Sequence, residues 1–214
     1  MIDVTRQIDA VGRGVGRRVL ESGEGVEVRV VTLAQSHDVP VADAWAACTD
    51  PERIPRWFLP VEGELRVGGR YQLQGNAGGT IERCDPPESF FATWEYGGDT
   101  SWVELRLTPE GEGRTRLELD HLFPLDDEKW ADFGPGAVGV GWDMTFAGLF
   151  LYLSTGRAND PEAFMAWAGS PEGRRFVTAS SERWYAASVD SGEDEARARA
   201  RADRTTAAYT GEAG

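Results

Sequence analysis

The chain has 214 residues, of which 41% are hydrophobic and 10% aromatic, so disorder is excluded for most of it. This length fits one domain with additional segments better than two large domains. Its 36 acidic and 22 basic residues give a formal charge of -14, which would repel nucleic acid phosphates and anionic membrane surfaces. We therefore expect neither nucleic acid nor a membrane as a partner.

The acidic charge is concentrated in the middle of the chain. Residues 26–156 contain 22 acidic and 10 basic residues, whereas residues 1–25 are balanced and residues 157–214 contain 10 acidic and 8 basic ones. The middle segment also has the strand-like patterns. We therefore divide the chain into an N-terminal segment, a functional domain over residues 26–156 and a C-terminal extension.

The first 25 residues fit two structures. Val4, Ile8 and Val11 have helical spacing, but glycines 12, 14 and 16 weaken a helix. Residues 17–21 could instead pair with the next strand across a turn at residues 22–25. From Val26 onwards valines alternate with charged residues, which predicts a half-buried strand.

Two short helices are expected next, followed by an antiparallel meander. One helix starts after Pro40 and runs to Cys48, and the other is N-capped by Thr49 and ends at Trp57. The six β-like runs are separated by short turns and cover residues 62–67, 70–75, 79–84, 89–96, 101–108 and 114–122. Alternation predicts an apolar inner face and a wet outer face that carries Glu104, Arg106, Arg116, Glu118 and Asp120.

Residues 133–155 form the most apolar run, in which Asp143 is the single charge. A central aspartate is costly in lipid, so a buried helix from about Gly136 to Ser154 is favoured over a membrane span. We expect Asp143 to pair with an arginine such as Arg70 or Arg83.

Three more helices are predicted in the C-terminal extension, and none has a catalytic pattern. Asp160 and Ser170, each followed by Pro and Glu, are expected to cap the first two, and residues 191–209 form the third. Apolar residues in these helices either pack on the same chain or form a homodimer interface, so monomer and homodimer both stay open: Phe164, Trp167, Phe176 and Trp184.

Residues with reactive side chains are few. His121 has the parity of the inner face, where it could act as a base, bind a ligand or be structural, whereas His37 is expected at the surface or as a helix cap. Cys48 and Cys84 have neither an adjacent base nor metal-ligand spacing, which favours packing roles, no zinc site and no cofactor. A reducing cytoplasm is the expected location, since the sequence does not open with a basic-then-apolar leader. The glycines within 75–79 and 134–141 are expected to serve turns and a close approach of helix to sheet.

The order of these elements, one strand, two short helices, six strands and a long apolar helix, resembles the START-like, helix-grip superfamily. Within it, the chain is similar to the branch of the heat shock protein 90 ATPase activator C-terminal domain, over about residues 26–156. The local marks are Asp50-Pro51-Glu52 with Trp57, Gly68-Gly69, residues 79–87, Thr93-Trp94-Glu95, Ser101-Trp102-Val103 and Gly141-Trp142. The helices after residue 157 resemble an extension found on some actinobacterial-type members.

The resemblance implies an α+β fold in which about seven antiparallel strands curl around the long helix and leave a cavity. Members of the superfamily bind apolar or amphipathic small molecules, some are polyketide cyclases, and eukaryotic relatives bind a chaperone. Binding of such a molecule is the first hypothesis, a protein-interaction or chaperone-partner module is the alternative, and a cyclase-like enzyme is the second alternative. No residue is assigned as catalytic or as a metal ligand. The expected lining combines aromatic and aliphatic side chains with one histidine: Tyr71, Phe90, Trp94, Leu105, Leu119, His121, Trp142, Phe146 and Leu149.

Overall fold

The computed structural model describes residues 3–20, 25–126 and 128–211. Within them, the helices are α1 (Val4–Ala10), α2 (Val41–Thr49), α3 (Glu128–Phe133), α4 (Gly136–Thr155), α5 (Pro161–Ala168), α6 (Pro171–Asp190) and α7 (Glu195–Thr210). The strands are β1 (Gly12–Val19), β2 (Glu27–His37), β3 (Val61–Gly63), β4 (Arg70–Leu73), β5 (Gly78–Asp85), β6 (Ser89–Tyr96), β7 (Asp99–Pro109) and β8 (Thr115–Pro124).

The eight strands form one open antiparallel sheet in the order β1-β2-β8-β7-β6-β5-β4-β3. With the long helix α4, this is the α+β helix-grip fold that the sequence predicts. The expected number of strands was about seven, and the eighth is β1.

The chain divides into two compact units. We call the first the terminal unit, which consists of Met1–Leu33, Pro124–Ala147 and Asp160–Gly214. The second, the central unit, consists of Ala34–Phe123 and Gly148–Asn159.

The N-terminal segment combines both structures that its sequence allows. Asp3 accepts a hydrogen bond from the backbone N–H of Arg6 and caps α1, whose Val4 and Ile8 are buried. The helix ends before the glycines, and β1 follows. The backbone N–H of Leu20 donates to the carbonyl of Val26, which joins the end of β1 to the start of β2. The turn expected at 22–25 lies outside the described residues except for Gly25.

The C-terminal helices follow the predicted caps. Asp160 accepts from the N–H groups of Glu162 and Ala163, and the Ser170 hydroxyl accepts from the N–H of Gly173. The third helix begins at Glu195 behind the cap Asp194, a few residues later than expected. Phe176 and Trp184 are 0% and 1% exposed, so these two rings pack within the chain.

In the central unit the second expected helix is a single 3₁₀ turn, Ile54–Arg56. Thr49 does not cap it: this residue ends α2, and its hydroxyl donates to the carbonyl of Trp45. The carboxylate of Asp50 instead accepts from the N–H of Glu52, a local bond that competes with helix formation.

The expectation of a wet outer face is wrong for two carboxylates. Glu104 and Asp120 are only 6% and 5% exposed, and they lie opposite each other on β7 and β8. The guanidinium of Arg106 donates to Glu104 over 2.6 Å, to Asp120 over 2.7 Å and to Glu118 over 2.6 Å. Burial acts to lower the pKa of Arg106, but these hydrogen bonds and charges outweigh it and raise that pKa. Arg106 thus covers the two carboxylates, while its own side chain stays 34% exposed.

Helix α4 is long and apolar enough to cross a membrane by length and composition alone. More than half of its most apolar window, 56%, is buried inside the protein, as in a core helix of a soluble fold. The buried helix predicted for this run is therefore the better description.

Candidate functional site

The inner face of the sheet in the central unit is built by three neighbouring strands in register. Phe90 on β6 lies opposite Leu105 on β7, which lies opposite Leu119 on β8. The two leucines are buried, whereas Phe90 is half-buried. Three of the expected lining residues thus form one row across the sheet.

Among the described residues, the inner face has one buried pair of polar side chains, Ser101 and His121, and this pair lies at the next row. Val103 lies opposite His121, and Nε2 of His121 is 2.9 Å from the hydroxyl of Ser101. The imidazole also stacks on Phe123 at 4.1 Å and meets the Trp94 ring edge-on at 5.7 Å between centroids. Burial lowers the pKa of His121 to about 3, so this histidine is neutral at physiological pH.

Ser101 has two hydrogen-bond partners at this point. Its hydroxyl donates to the carbonyl of Trp94 over 3.1 Å, and Nε2 of His121 is the second partner. A hydroxyl has one proton, so Nε2 donates to Ser101 while that proton is directed at Trp94, and it accepts the proton in the other tautomer. Only the second arrangement is that of a nucleophile and its base.

Tyr71 lies at the same face with its hydroxyl already bonded. Its O–H donates to the carbonyl of Thr93 over 2.7 Å, and burial, with the charge of Glu95, raises the pKa of the phenol. Gly79 pairs with Tyr71 across β4 and β5, and a Cβ atom at Gly79 would overlap the Thr93 carbonyl. The expected close approach at this glycine is therefore between two strands.

Helices add aromatic side chains to the central unit. Trp45 on α2 meets Phe90 edge-on, with the ring centroids 6.4 Å apart. Trp57 donates its indole N–H to the carbonyl of Ala47 over 2.9 Å. Leu149, from the part of α4 in this unit, is 1% exposed.

His37 does not lie at the surface as expected. It is 3% exposed, and its ring faces Phe150 of α4 with the centroids 6.4 Å apart. Burial lowers its pKa to about 4, although the neighbouring charge of Asp38 acts in the opposite direction. Its position explains the error: His37 alternates in phase with Leu33 and Gln35, which are also buried, and so belongs to the strand rather than to the following turn.

The two remaining lining residues, Trp142 and Phe146, belong to the terminal unit, where Phe146 is buried and Trp142 half-buried. The predicted lining is thus divided between the two units. As a ligand site, the whole set stays a prediction.

The expected pairing of Asp143 with Arg70 or Arg83 is wrong. Asp143 is 0% exposed and binds Arg13 of β1, whose NH2 lies 2.8 Å from Oδ1 and whose Nε lies 3.0 Å from Oδ2. Arg70 pairs with Glu95 and Arg83 with Glu104, both on the sheet.

Two more donors from α6 complete the surroundings of this carboxylate. The hydroxyl of Ser180 donates to Oδ2 over 2.5 Å, and the indole N–H of Trp184 does so over 3.0 Å. The remaining nitrogen of Arg13 donates to the carbonyls of Ile8 and Val11. Asp143 therefore joins the N-terminal strand, α4 and α6 at one buried point.

The glycines of α4 serve contacts between helices. A Cβ atom at Gly139 would overlap the indole of Trp184, and one at Gly136 would lie 2.9 Å from the hydroxyl of Thr205 on α7. The expected close approach of helix to sheet at this glycine run is, at these two positions, an approach of helix to helix.

A small cavity lies among these helices in the terminal unit. It has a volume of about 10 Å³ and is lined by residues that include Phe133, Trp184 and Arg201. This volume holds at most one water molecule, so it is not the ligand site expected from the sequence. The described residues contain no group of three or more His, Cys, Asp or Glu side chains placed to hold a metal ion.

The fold and the inner face define a START-like, helix-grip protein. The family model described as "Activator of Hsp90 ATPase homolog 1-like protein" matches residues 38–154, more than half of the chain. The chain belongs to this family. Among curated proteins, no sequence matches it.

Solved structures give a more specific likeness. The crystal structure of CalU16 from Micromonospora echinospora is 39% identical with a TM-score of 0.64, and the match covers 86% of this chain and 99% of CalU16. The solution structure of the same protein gives 37% identity, a TM-score of 0.68 and coverages of 85% and 97%. These matches extend beyond residues 38–154, so the likeness to CalU16 includes segments outside the family domain.

A second solved protein shares the fold. DynU16, described as a protein in the dynemicin biosynthetic locus, is 24% identical with a TM-score of 0.53. The match covers 60% of this chain and 48% of DynU16.

Sequence reasoning missed three residues that the structure brings forward. Ser101 was recognised only as part of a family mark, Arg13 only as a residue of an ambiguous segment, and His37 was placed at the surface. Strand parity was available for Ser101 and His37, whereas no local pattern links Arg13 to a residue 130 positions away.

Proposed function

We propose that the protein binds an apolar or amphipathic small molecule against the inner face of the sheet in its central unit. The observation that carries this proposal is the set of aromatic rings that stay half-buried beside fully buried leucines: Trp45, Tyr71, Phe90 and Trp94. Rings of this kind offer a large apolar surface to a guest, and mostly apolar sites with few polar groups are typical of small-molecule pockets.

Binding of a fluorescent apolar probe tests this proposal. Nile red is suitable because it is neutral, so the charge of -14 does not repel it. Trp94→Ala should weaken its binding by about 10-fold, since a buried aromatic contact is worth more than 1 kcal/mol. The matched control is Trp102→Ala, because Trp102 is also half-buried but lies on β7 in phase with Glu104 and Arg106, on the outer face. Equal effects of the two variants, or no binding to the unaltered protein, would contradict the proposal.

Native mass spectrometry of protein purified from its own host would identify the natural ligand class. A non-covalent mass that disappears on denaturation is the expected result. If no small-molecule mass is found and the protein instead co-purifies with a chaperone, the result supports the alternative, a chaperone-partner module. The observation behind this alternative is the family description itself, together with the acidic charge of residues 26–156.

The second alternative, a cyclase-like enzyme, is supported by the fold shared with DynU16 and its biosynthetic locus. The polar pair Ser101–His121 would be its chemical group. Only the tautomer in which Nε2 accepts the Ser101 proton would let His121 act as its base. If turnover of an aromatic substrate is found, His121→Ala should abolish it and hardly change binding, whereas equal loss of both would count against catalysis.

A further inference from the structure

The buried side-chain polar atoms of the central unit differ in whether they have a partner. Tyr71 O–H donates to Thr93, Trp57 N–H donates to Ala47, and Nε2 of His121 bonds Ser101. For the described residues, three buried side-chain atoms lack a partner, and Nε2 of His37 is the one that belongs to the central unit. An unpaired buried nitrogen costs about 1–3 kcal/mol, so its persistence calls for a physical explanation.

His37 lies on the same side of the sheet as the aromatic rings. The preceding residue, Ser36, donates its hydroxyl to Glu110 at the exposed side of the sheet. Successive side chains of a strand point to opposite faces, so His37 points inward. Its ring contact with Phe150 of α4 confirms this direction.

The electrostatic surroundings decide what kind of group can meet this nitrogen. Burial keeps the imidazole neutral at physiological pH, and the charge that acts on it comes from Asp38, which is negative. An anion here would lose its hydration and would meet the negative charge of Asp38, which is paired with Arg114 over 3.3 Å. A hydroxyl is both donor and acceptor, so it fits either tautomer of a neutral imidazole.

We propose that Nε2 of His37 forms the hydrogen bond that orients the ligand, and that the ligand is an apolar molecule with an uncharged hydroxyl group. This inference rests on the proposed function, and it replaces His121 with His37 as the polar contact. The aromatic rings supply apolar contact area, and His37 selects for the hydroxyl.

Two matched probes test the inference. 2-Naphthol and 2-methylnaphthalene have nearly the same shape, and the second has a methyl group where the first has its hydroxyl. We expect His37→Phe to shift the ratio of their Kd values by about 10-fold against 2-naphthol, the usual size of one net hydrogen bond. His37→Gln should keep most of the ratio, because its amide nitrogen can occupy the place of Nε2.

Thr115→Val is the control variant. It also removes a buried polar group, on β8 in phase with Leu117 and Leu119, but that hydroxyl is already bonded to the carbonyl of Val39, so the ratio should not change. An unchanged ratio in His37→Phe, or the same shift in Thr115→Val, overturns the inference while leaving the proposed function intact. Failure of both probes to bind the unaltered protein overturns the proposed function, and this inference with it.

A measurement on the unaltered protein avoids dependence on the folding of a variant. With ¹⁵N-labelled histidine, the Nε2 resonance of His37 should move when 2-naphthol is added and stay in place with 2-methylnaphthalene. The Nε2 resonance of His121 should respond equally little to either. Equal responses of His37 to both probes would show that the hydroxyl does not bond Nε2, which rejects the inference.

Discussion

Asp143 and Arg13 are an ion pair removed from water at both ends. Their side chains are 1% and 4% exposed, and every oxygen of the carboxylate has at least one donor. Burial of two charges is favourable only when such partners are complete, because the desolvation of each ion costs several kcal/mol. The pair therefore specifies how β1, α4 and α6 meet more than it adds to the net stability.

Replacement of either partner alone should be strongly destabilising. We expect Asp143→Leu or Arg13→Met to lower the free energy of unfolding by about 3–5 kcal/mol, since each leaves one buried charge unpaired. The double variant should lose less than the sum of the two. Urea unfolding of the four proteins measures the coupling.

The exposed pair Arg70–Glu95 provides the comparison for this cycle. Arg70 is 65% exposed at its side chain, so solvent screens its charge and Arg70→Met should leave the free energy of unfolding nearly unchanged. If the effects of Arg13→Met and Asp143→Leu on the free energy of unfolding simply add, the two side chains have no coupling energy.

The two buried histidines predict that the protein loses stability in mild acid. The pKa of His37 is lowered to about 4 and that of His121 to about 3, both below the usual value of 6.5. The unfolded chain therefore binds protons that the folded chain does not, and the free energy of unfolding falls as the pH decreases from 6.5 towards 4. The contribution of His37 over this range is on the order of 3 kcal/mol.

Urea midpoints measured across this pH range check the prediction. His37→Phe should flatten the slope relative to the unaltered protein, since phenylalanine binds no proton. A slope that His37→Phe leaves unchanged would assign the acid sensitivity to other groups.

At the scale of elements, the contact of α4 with α6 depends on a position without a side chain. Gly139→Ala places a methyl group into the indole of Trp184, and neither a helix backbone nor a buried tryptophan can yield easily. We expect a loss of about 2–3 kcal/mol, measured by thermal or urea unfolding.

Gly141 on the same helix is the matched control. Its nearest neighbour for an added Cβ is the hydroxyl of Tyr209 at 3.3 Å, the tip of a long side chain. Gly141→Ala should be neutral or stabilising by up to about 1 kcal/mol, as expected for alanine in a helix. Similar losses at both glycines would argue against a specific contact at Gly139.

The elements differ in how far the sequence predicts them. The six runs of the meander appear as strands because alternation and turn residues agree, and α4 appears as a helix because its apolar spacing is continuous. In β1 three glycines remove the side chains that would reveal an alternation, so strand and helix could not be separated. The same limit applies to the candidate site. Strand parity predicts that Phe90, Leu105 and Leu119 share one face of the sheet. It does not predict which side chains contact His121, His37 or Asp143.

At the scale of the whole molecule, the segment matched by the family model is smaller than the folded structure requires. Residues 38–154 contain Asp143 but lack Arg13, Ser180 and Trp184. A chain shortened to 38–154 should therefore give no cooperative thermal transition, because it also lacks β2, whose Val28, Val31 and Leu33 are fully buried.

A chain that ends at residue 211 is the control, since it retains every described helix, and it should unfold as the full chain does. Circular dichroism during heating compares the two. A cooperative transition of the 38–154 segment would show that the family domain is stable without the termini.

The partners of Asp143 also set the order of events during synthesis. Arg13 precedes Asp143 by 130 residues, and Trp184 follows it by 41. At the usual rate of about 5–20 residues per second, roughly 10–30 s pass between the emergence of the first and the last of these groups from the ribosome. The terminal unit therefore completes its fold only after Trp184 has emerged, and β1 stays without its buried partners until then.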